Sequence, residues 1–328
     1  MIKQSLDLQR VGALATLLIT VALLMVSSTA KASNSAITEI SENIYTLVAE
    51  ITVRNRTDQP IQGYIHRVAI PVDGHMQQRV LAVRPDSVAR VERKEFDHDA
   101  GEYLELEWDI FANEESIKRV YFDILVDSYQ IPVDEVERSP GTLSSVPDKS
   151  YLEPSKYIES EASEIVRLAR HIERSYSDPE ARLRAAYLTP QQLIEYRRQP
   201  TRGALYAVTA RQGDCTEFSA LFVALARALG YPARMTSEFL FTEKRAFSQP
   251  NHHAAEVYLN NRWIPVDANL ALDPSFGYGF GEGQNRKIVL NRNSVWVWSN
   301  LFPRGVSKRR GKVDVSMHWR ILDGQGVD

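Results

Sequence analysis

Between Asp214 and Gly230 the chain spells out a helix marked at both ends, and no other stretch constrains the fold as tightly. Asp214 followed by Glu217 resembles a capping box, with Asp in place of Ser or Thr. Phe218, Leu221, Phe222, Leu225, Ala226 and Leu229 fall on one apolar face. Gly230, with Pro232 just beyond, is a stop signal. Cys215 therefore takes the first helical position, where unpaired N–H groups and the macrodipole favour a thiolate. It is the single cysteine of 328 residues, which excludes an intramolecular disulfide and a Cys-cluster metal site. A lone Cys in an apolar helix is usually a small hydrophobic filler. A filler belongs on the apolar stripe, and this residue sits at the helix end.

A nucleophilic Cys needs a base, and the base needs an orienting partner. Two strand-like runs, His252 to Leu259 and Arg262 to Asp267, flank Asn260-Asn261, a two-residue hairpin turn. That turn sets Leu259 opposite Arg262 and brings Asp267 opposite Ala254. Side chains alternate along a strand, so His252 and Asp267 become diagonal neighbours on one face. His253 points to the other face, beside Ala255, Val257, Ile264 and Val266. Parity selects His252 as base and leaves His253 a structural or rim histidine; a β-bulge would invert the choice.

Gly213-Asp214-Cys215-Thr216-Glu217-Phe218 and Arg227-Ala228-Leu229-Gly230-Tyr231-Pro232-Ala233-Arg234 resemble the Cys segment of the transglutaminase-like superfamily. His252 through Asp267 is similar to that family's His and Asp strands, and the likeness covers about residues 155–300. The resemblance implies an α+β, papain-like core with Cys215 as nucleophile, His252 as general base and acid, and Asp267 as orienter. Three departures stand out. Ala254 occupies the place of a frequent aromatic, Ala268-Asn269 replaces Pro-Thr, and no Trp lies between Trp108 and Trp263 to stabilise an oxyanion. The oxyanion donor is then unassigned beyond the Cys215 backbone N–H. Nor does an acidic run suggest the calcium sites of animal cross-linking enzymes. No cofactor and no metal are expected.

The rest of the chain frames this core. Lys3 and Arg10 precede the uncharged run Val11 to Val26, and Ala30-Lys31-Ala32 closes a small-residue tail. That is the layout of a secretory signal peptide over residues 1–32, cleaved after Ala32, with a periplasmic location; an uncleaved anchor is the alternative. Removing three basic residues and one acidic one takes the net charge from −3 to −5. No basic segment stands out, which argues against nucleic-acid binding, and a membrane partner is expected only if the leader stays. Residues 36–140 read as an antiparallel β-sandwich, with strands at Ile44 to Val53, Tyr64 to Pro71, Leu104 to Ile110 and Arg119 to Val126. His66, His75 and His98 are scattered there and read as surface residues.

Residues 141–156 read as a linker and 157–305 as the catalytic domain, with a C-terminal strand and tail over 306–328. Ile158, Ala162, Ile165, Leu168, Ala169 and Ile172 predict one amphipathic helix, and Asp178-Pro179 and Thr189-Pro190 each predict a helix start. The glycine-rich stretch from Phe276 to Gly283 lacks a phosphate-loop pattern and reads as a flexible surface loop, or else a substrate lid. Trp296 and Trp298 alternate as strand residues do, and Lys308, Arg309, Arg310 and Lys312 form a small solvated basic patch. The expected function is an exported thiol-dependent acyl transfer on peptide or related amide bonds of the cell envelope, hydrolysis favoured over amine cross-linking. The competing class is a catalytically silent envelope adaptor. Oligomeric state is not legible.

Overall fold

A computed structural model describes residues 42–75, 77–96, 100–131, 147–241, 245–292 and 313–323. The leader, His98, Trp296, Trp298 and the basic patch at 308–312 lie outside the described residues. The strands of the first half are β1 (Glu42–Asn55), β2 (Ile61–Ile70), β3 (Gln78–Pro85), β4 (Arg90–Glu95), β5 (Glu102–Ile110) and β6 (Glu115–Asp127). The second half carries α1 (Ser163–Ser175), α2 (Pro179–Leu193), α3 (Ala204–Ala210) and α4 (Cys215–Ala228). After α4 come β7 (Ala233–Leu240), β8 (His252–Leu259), β9 (Arg262–Val266) and β10 (Lys287–Arg292), and β11 (Val313–Asp323) ends the chain as described.

Alternation builds the sandwich. Leu47, Ala49, Ile51 and Val53 sit at every second position of β1 and are completely buried. One sheet runs Ala246–Phe247, β11, β1, β6, β3, and the other β2, β5, β4. Leu47, Ile51 and Phe122 from the first pack in one core with Val68, Leu106 and Trp108 from the second. The C-terminal strand closes on β1 of the sandwich. β3 and β4 escaped the sequence reading because Arg79, Arg84, Arg90 and Glu92 break their apolar pattern.

The second half is the α+β core: α4 lies against the antiparallel sheet β9–β8–β7–β10, with every residue from Thr216 to Arg227 buried. This core is not an independent body. Phe239, Phe241, Ile288 and Leu290 from β7, β10 and their ends belong to the sandwich's hydrophobic cluster. The free edge of β10 is satisfied by the sandwich, since Gln78 Nε2 donates to Val289 O at 2.7 Å and Val289 N donates back to Gln78 Oε1 at 2.7 Å. The described end of the expected linker is also packed: Tyr151 is buried and meets Trp263 edge-on, and Arg227 Nη1 donates to Glu153 O at 2.6 Å.

Several sequence expectations are corrected. His66 and His75 are buried, not on the surface; burial lowers the pKa of each to about 4, so both are neutral at pH 7. His66 Nδ1 lies 3.2 Å from the Tyr64 hydroxyl. Asp178 caps α2 as expected, but Thr189-Pro190 starts no helix, for Pro190 lies buried in the last turn of α2. Its missing N–H costs a single bond there, and Ile194 N closes the turn on Pro190 O at 2.9 Å. Ile158 precedes α1 in a turn closed on Ser155. Among the described residues no helix is long and apolar enough to cross a membrane.

Candidate active site

Cys215 is held by an over-determined helix start. Asp214 Oδ1 accepts from Thr216 N at 3.0 Å, and Glu217 Oε2 accepts from Asp214 N at 3.1 Å, which completes the capping box. The second Glu217 oxygen accepts from Arg202 N at 2.7 Å and from Gly203 N at 3.3 Å. Glu217 is fully buried by this role, and a Cβ on Gly213 would come within 2.3 Å of the Glu217 Cβ. The segment before α3 is thus tied to the turn that presents the thiol, and Cys215 itself stays partly exposed. Glu217→Ala leaves three backbone N–H groups without acceptors. It is expected to cost about 2–3 kcal/mol in urea unfolding and to slow alkylation of Cys215.

The hairpin has the register that the sequence implied. Asn260 and Asn261 both take positive φ, 52° and 62°, as a two-residue type I′ turn requires. Leu259 pairs with Arg262, Val257 with Ile264 and Ala255 with Val266. His252 and Asp267 then meet, with Nε2 2.8 Å from Oδ2 and both residues buried. A side-chain hydrogen bond between the ring and Cys215 also acts on His252. Burial alone would lower the His252 pKa, but the Asp267 carboxylate and the Cys215 sulfur outweigh it and push the value up to about 10. The ring is therefore an imidazolium at pH 7. Asp267 is buried too, yet His252, Lys287 and the Leu270 N–H hold its carboxyl well below the usual range.

His253 falls on the opposite face. Its Nδ1 lies 3.1 Å from Thr236 O and so donates there, while its own carbonyl accepts from Ser219 Oγ of α4 at 3.0 Å. The glycine-rich stretch is not a flexible loop. Asp267 N donates to Gly279 O and Gly281 N to Pro265 O, both at 2.9 Å, and Tyr278 and Phe280 are buried. It runs along the Asp strand and fixes the backbone of Asp267.

Two residues of the site were not foreseen. Glu238 pairs with His252 across β7 and β8, and Lys287 opens β10. Ligand atoms of Glu238, His252 and Asp267 lie within 4.8 Å of one another, a spacing compatible with a metal ion. The positive charge those carboxylates need comes from Lys287, whose Nζ is 2.8 Å from Glu238 Oε2 and 3.0 Å from Asp267 Oδ2.

Residues 166–268 match the family model of the transglutaminase-like superfamily. Among solved structures, the chain is similar to a candidate cysteine protease from Cytophaga hutchinsonii, at TM-score 0.54 and 17% identity, over 88% of this chain and 94% of that one. That likeness establishes a shared fold. The chain is also similar to the periplasmic domain of TgpA from Pseudomonas aeruginosa, at TM-score 0.33 and 14% identity, over 69% of this chain and 88% of that one. No curated protein matches the chain.

Proposed function

We propose that the transglutaminase-like core of this chain is a thiol-dependent acyl-transfer enzyme that hydrolyses peptide or related amide bonds in the cell envelope. The observation that carries the reading is the buried His252, bonded through Nε2 to Asp267 and hydrogen-bonded to Cys215 at the start of α4. Nothing about binding alone calls for a Cys at a helix N-terminus facing such a pair.

The thiolate attacks the amide carbonyl, with the Cys215 backbone N–H as the one assigned donor to the developing oxyanion. The C–N bond breaks as the leaving amine takes the His252 proton, which leaves a thioester. Water then gives a proton to His252 and adds to the thioester carbon, releasing the acid and restoring the thiolate–imidazolium pair. Asp267 keeps the ring in its tautomer and stabilises the imidazolium without itself taking the proton. Water is favoured over an amine as acceptor because the chain has neither the upstream Trp nor the acidic calcium-type run of animal cross-linking enzymes. Export rests on the leader-like residues 1–32.

The single cysteine makes the test direct. Iodoacetamide at neutral pH, followed by intact-mass measurement, is expected to add one carbamidomethyl group rapidly. An inert Cys215 would favour the silent adaptor. Comparing envelope proteins from wild type and Cys215→Ala then separates cleavage from cross-linking.

A further inference from the structure

We infer that Lys287, paired with Glu238, is a positioning residue that clamps the orienting carboxylate and sets how firmly the His252 proton is held. This rests on the Cys215–His252–Asp267 reading and extends it by two residues. Asp267 Oδ2 is a shared atom: His252 Nε2 approaches it at 2.8 Å and Lys287 Nζ at 3.0 Å. Its other oxygen accepts from Leu270 N at 2.9 Å, so the carboxylate has no freedom to turn away from the ring.

A fully buried ammonium is a costly device, and a structural role would be met more cheaply by apolar packing. Lys287 is 2% exposed and lies among Glu238 from β7, Asp267 after β9, Tyr129 after β6 and Tyr278 of the glycine-rich stretch. His75, from the turn before β3, lies within electrostatic range of both Lys287 and Glu238. The Tyr278 ring lies under the ammonium, 4.4 Å from its centroid. Thr236 Oγ1 donates to Glu238 Oε1 at 2.7 Å and fixes the far end of the chain.

The arrangement divides the charge on Asp267 between two cations. Lys287 draws part of it from the imidazolium, and Glu238 draws part of Lys287 back. The grip of Asp267 on the His252 proton therefore depends on a residue that touches neither Cys215 nor the ring. Such a balance matters for acyl transfer, since His252 must release its proton to the leaving amine and then regain one from water.

Opposed shifts in the His252 titration test this. The full chain, labelled with ¹³C at histidine ring Cε1, gives a signal assigned by its loss in His252→Asn. Glu238→Gln removes one anion, while the amide oxygen still accepts from Lys287. The His252 midpoint is expected to move down by about one pH unit, a tenfold loss of proton affinity. Adding Lys287→Met to that variant removes the competing cation and is expected to return the midpoint to the wild-type value or above. A midpoint unmoved in both, with only the unfolding transition lowered, would make the pair a structural ion pair and overturn the inference. The functional reading fails separately, through an iodoacetamide-inert Cys215, and the ring titration is read the same way in that case.

Discussion

Alanine at Cys215 and alanine at His252 are each expected to cut hydrolysis of a peptide-amide library by roughly 10⁴-fold or more, and the double variant to be little worse. The near-equality follows from the geometry. His252 is hydrogen-bonded both to Asp267 and to Cys215, so in the proposed mechanism the nucleophile and its proton carrier act as one unit and removing either disables both. Asp267→Ala is expected to lose less, since it moves no proton, although it also leaves the buried Lys287 with Glu238 as its remaining carboxylate partner. His253→Ala is expected to keep most of the activity and to lose some stability, because its ring faces Thr236 O, away from the thiol. Initial rates for the five variants decide this. An active His252→Ala beside an inactive His253→Ala would remove both His252 and Asp267 from the mechanism.

The hairpin was legible because a two-residue turn fixes register, and register fixes which histidine shares a face with Asp267. The helix start was legible because capping chemistry is local: Asp214 and Glu217 are three residues apart. Lys287 and Glu238 were not, since they meet only when β7 and β10 pair, and no short-range spacing links them to the triad. β7 reads Ala233-Arg234-Met235-Thr236-Ser237-Glu238-Phe239-Leu240, too polar a strand for Glu238 to stand out as buried.

His66 was misread although the same parity argument applied to it. It stands two residues from Tyr64 and two from Val68 on a strand, and all three are buried. His75 had no such signal, for it lies in the turn after Asp73-Gly74 and is buried by β8 from the other half of the chain. The glycine-rich stretch looked mobile by composition. Its aromatics Tyr278 and Phe280 nevertheless alternate as strand residues do, and that pattern outweighed the glycines.

The largest expected loss of stability lies four pairs along the same strands. Arg234 pairs with Glu256 across β7 and β8, as Glu238 does with His252. Arg234 Nε is 2.6 Å from Glu256 Oε2, Arg292 Nε is 3.3 Å from the same oxygen, and His75 Nε2 is 3.3 Å from Oε1. Arg234 and Glu256 are each 1% exposed, and the guanidinium carbon lies 3.7 Å from the centre of the Trp263 ring. Glu256→Ala leaves that buried guanidinium without its anion. It is expected to cost about 3–5 kcal/mol in urea unfolding at pH 7. Adding Arg234→Met should cost less than the sum of the two single changes, because the stranded charge leaves with it.

The pH dependence gives the sign. Burial would raise the Glu256 pKa, but Arg234, Arg292 and His75 lower it from 4.5 to about 2. Its contribution is therefore present above pH 4.5 and lost as pH falls through about 2, so the gap between wild type and Glu256→Ala should persist at pH 5, narrow below pH 4.5 and close only below about pH 2. A gap under 1 kcal/mol at pH 7 would mean that Trp263 and Tyr151 hold Arg234 without the carboxylate.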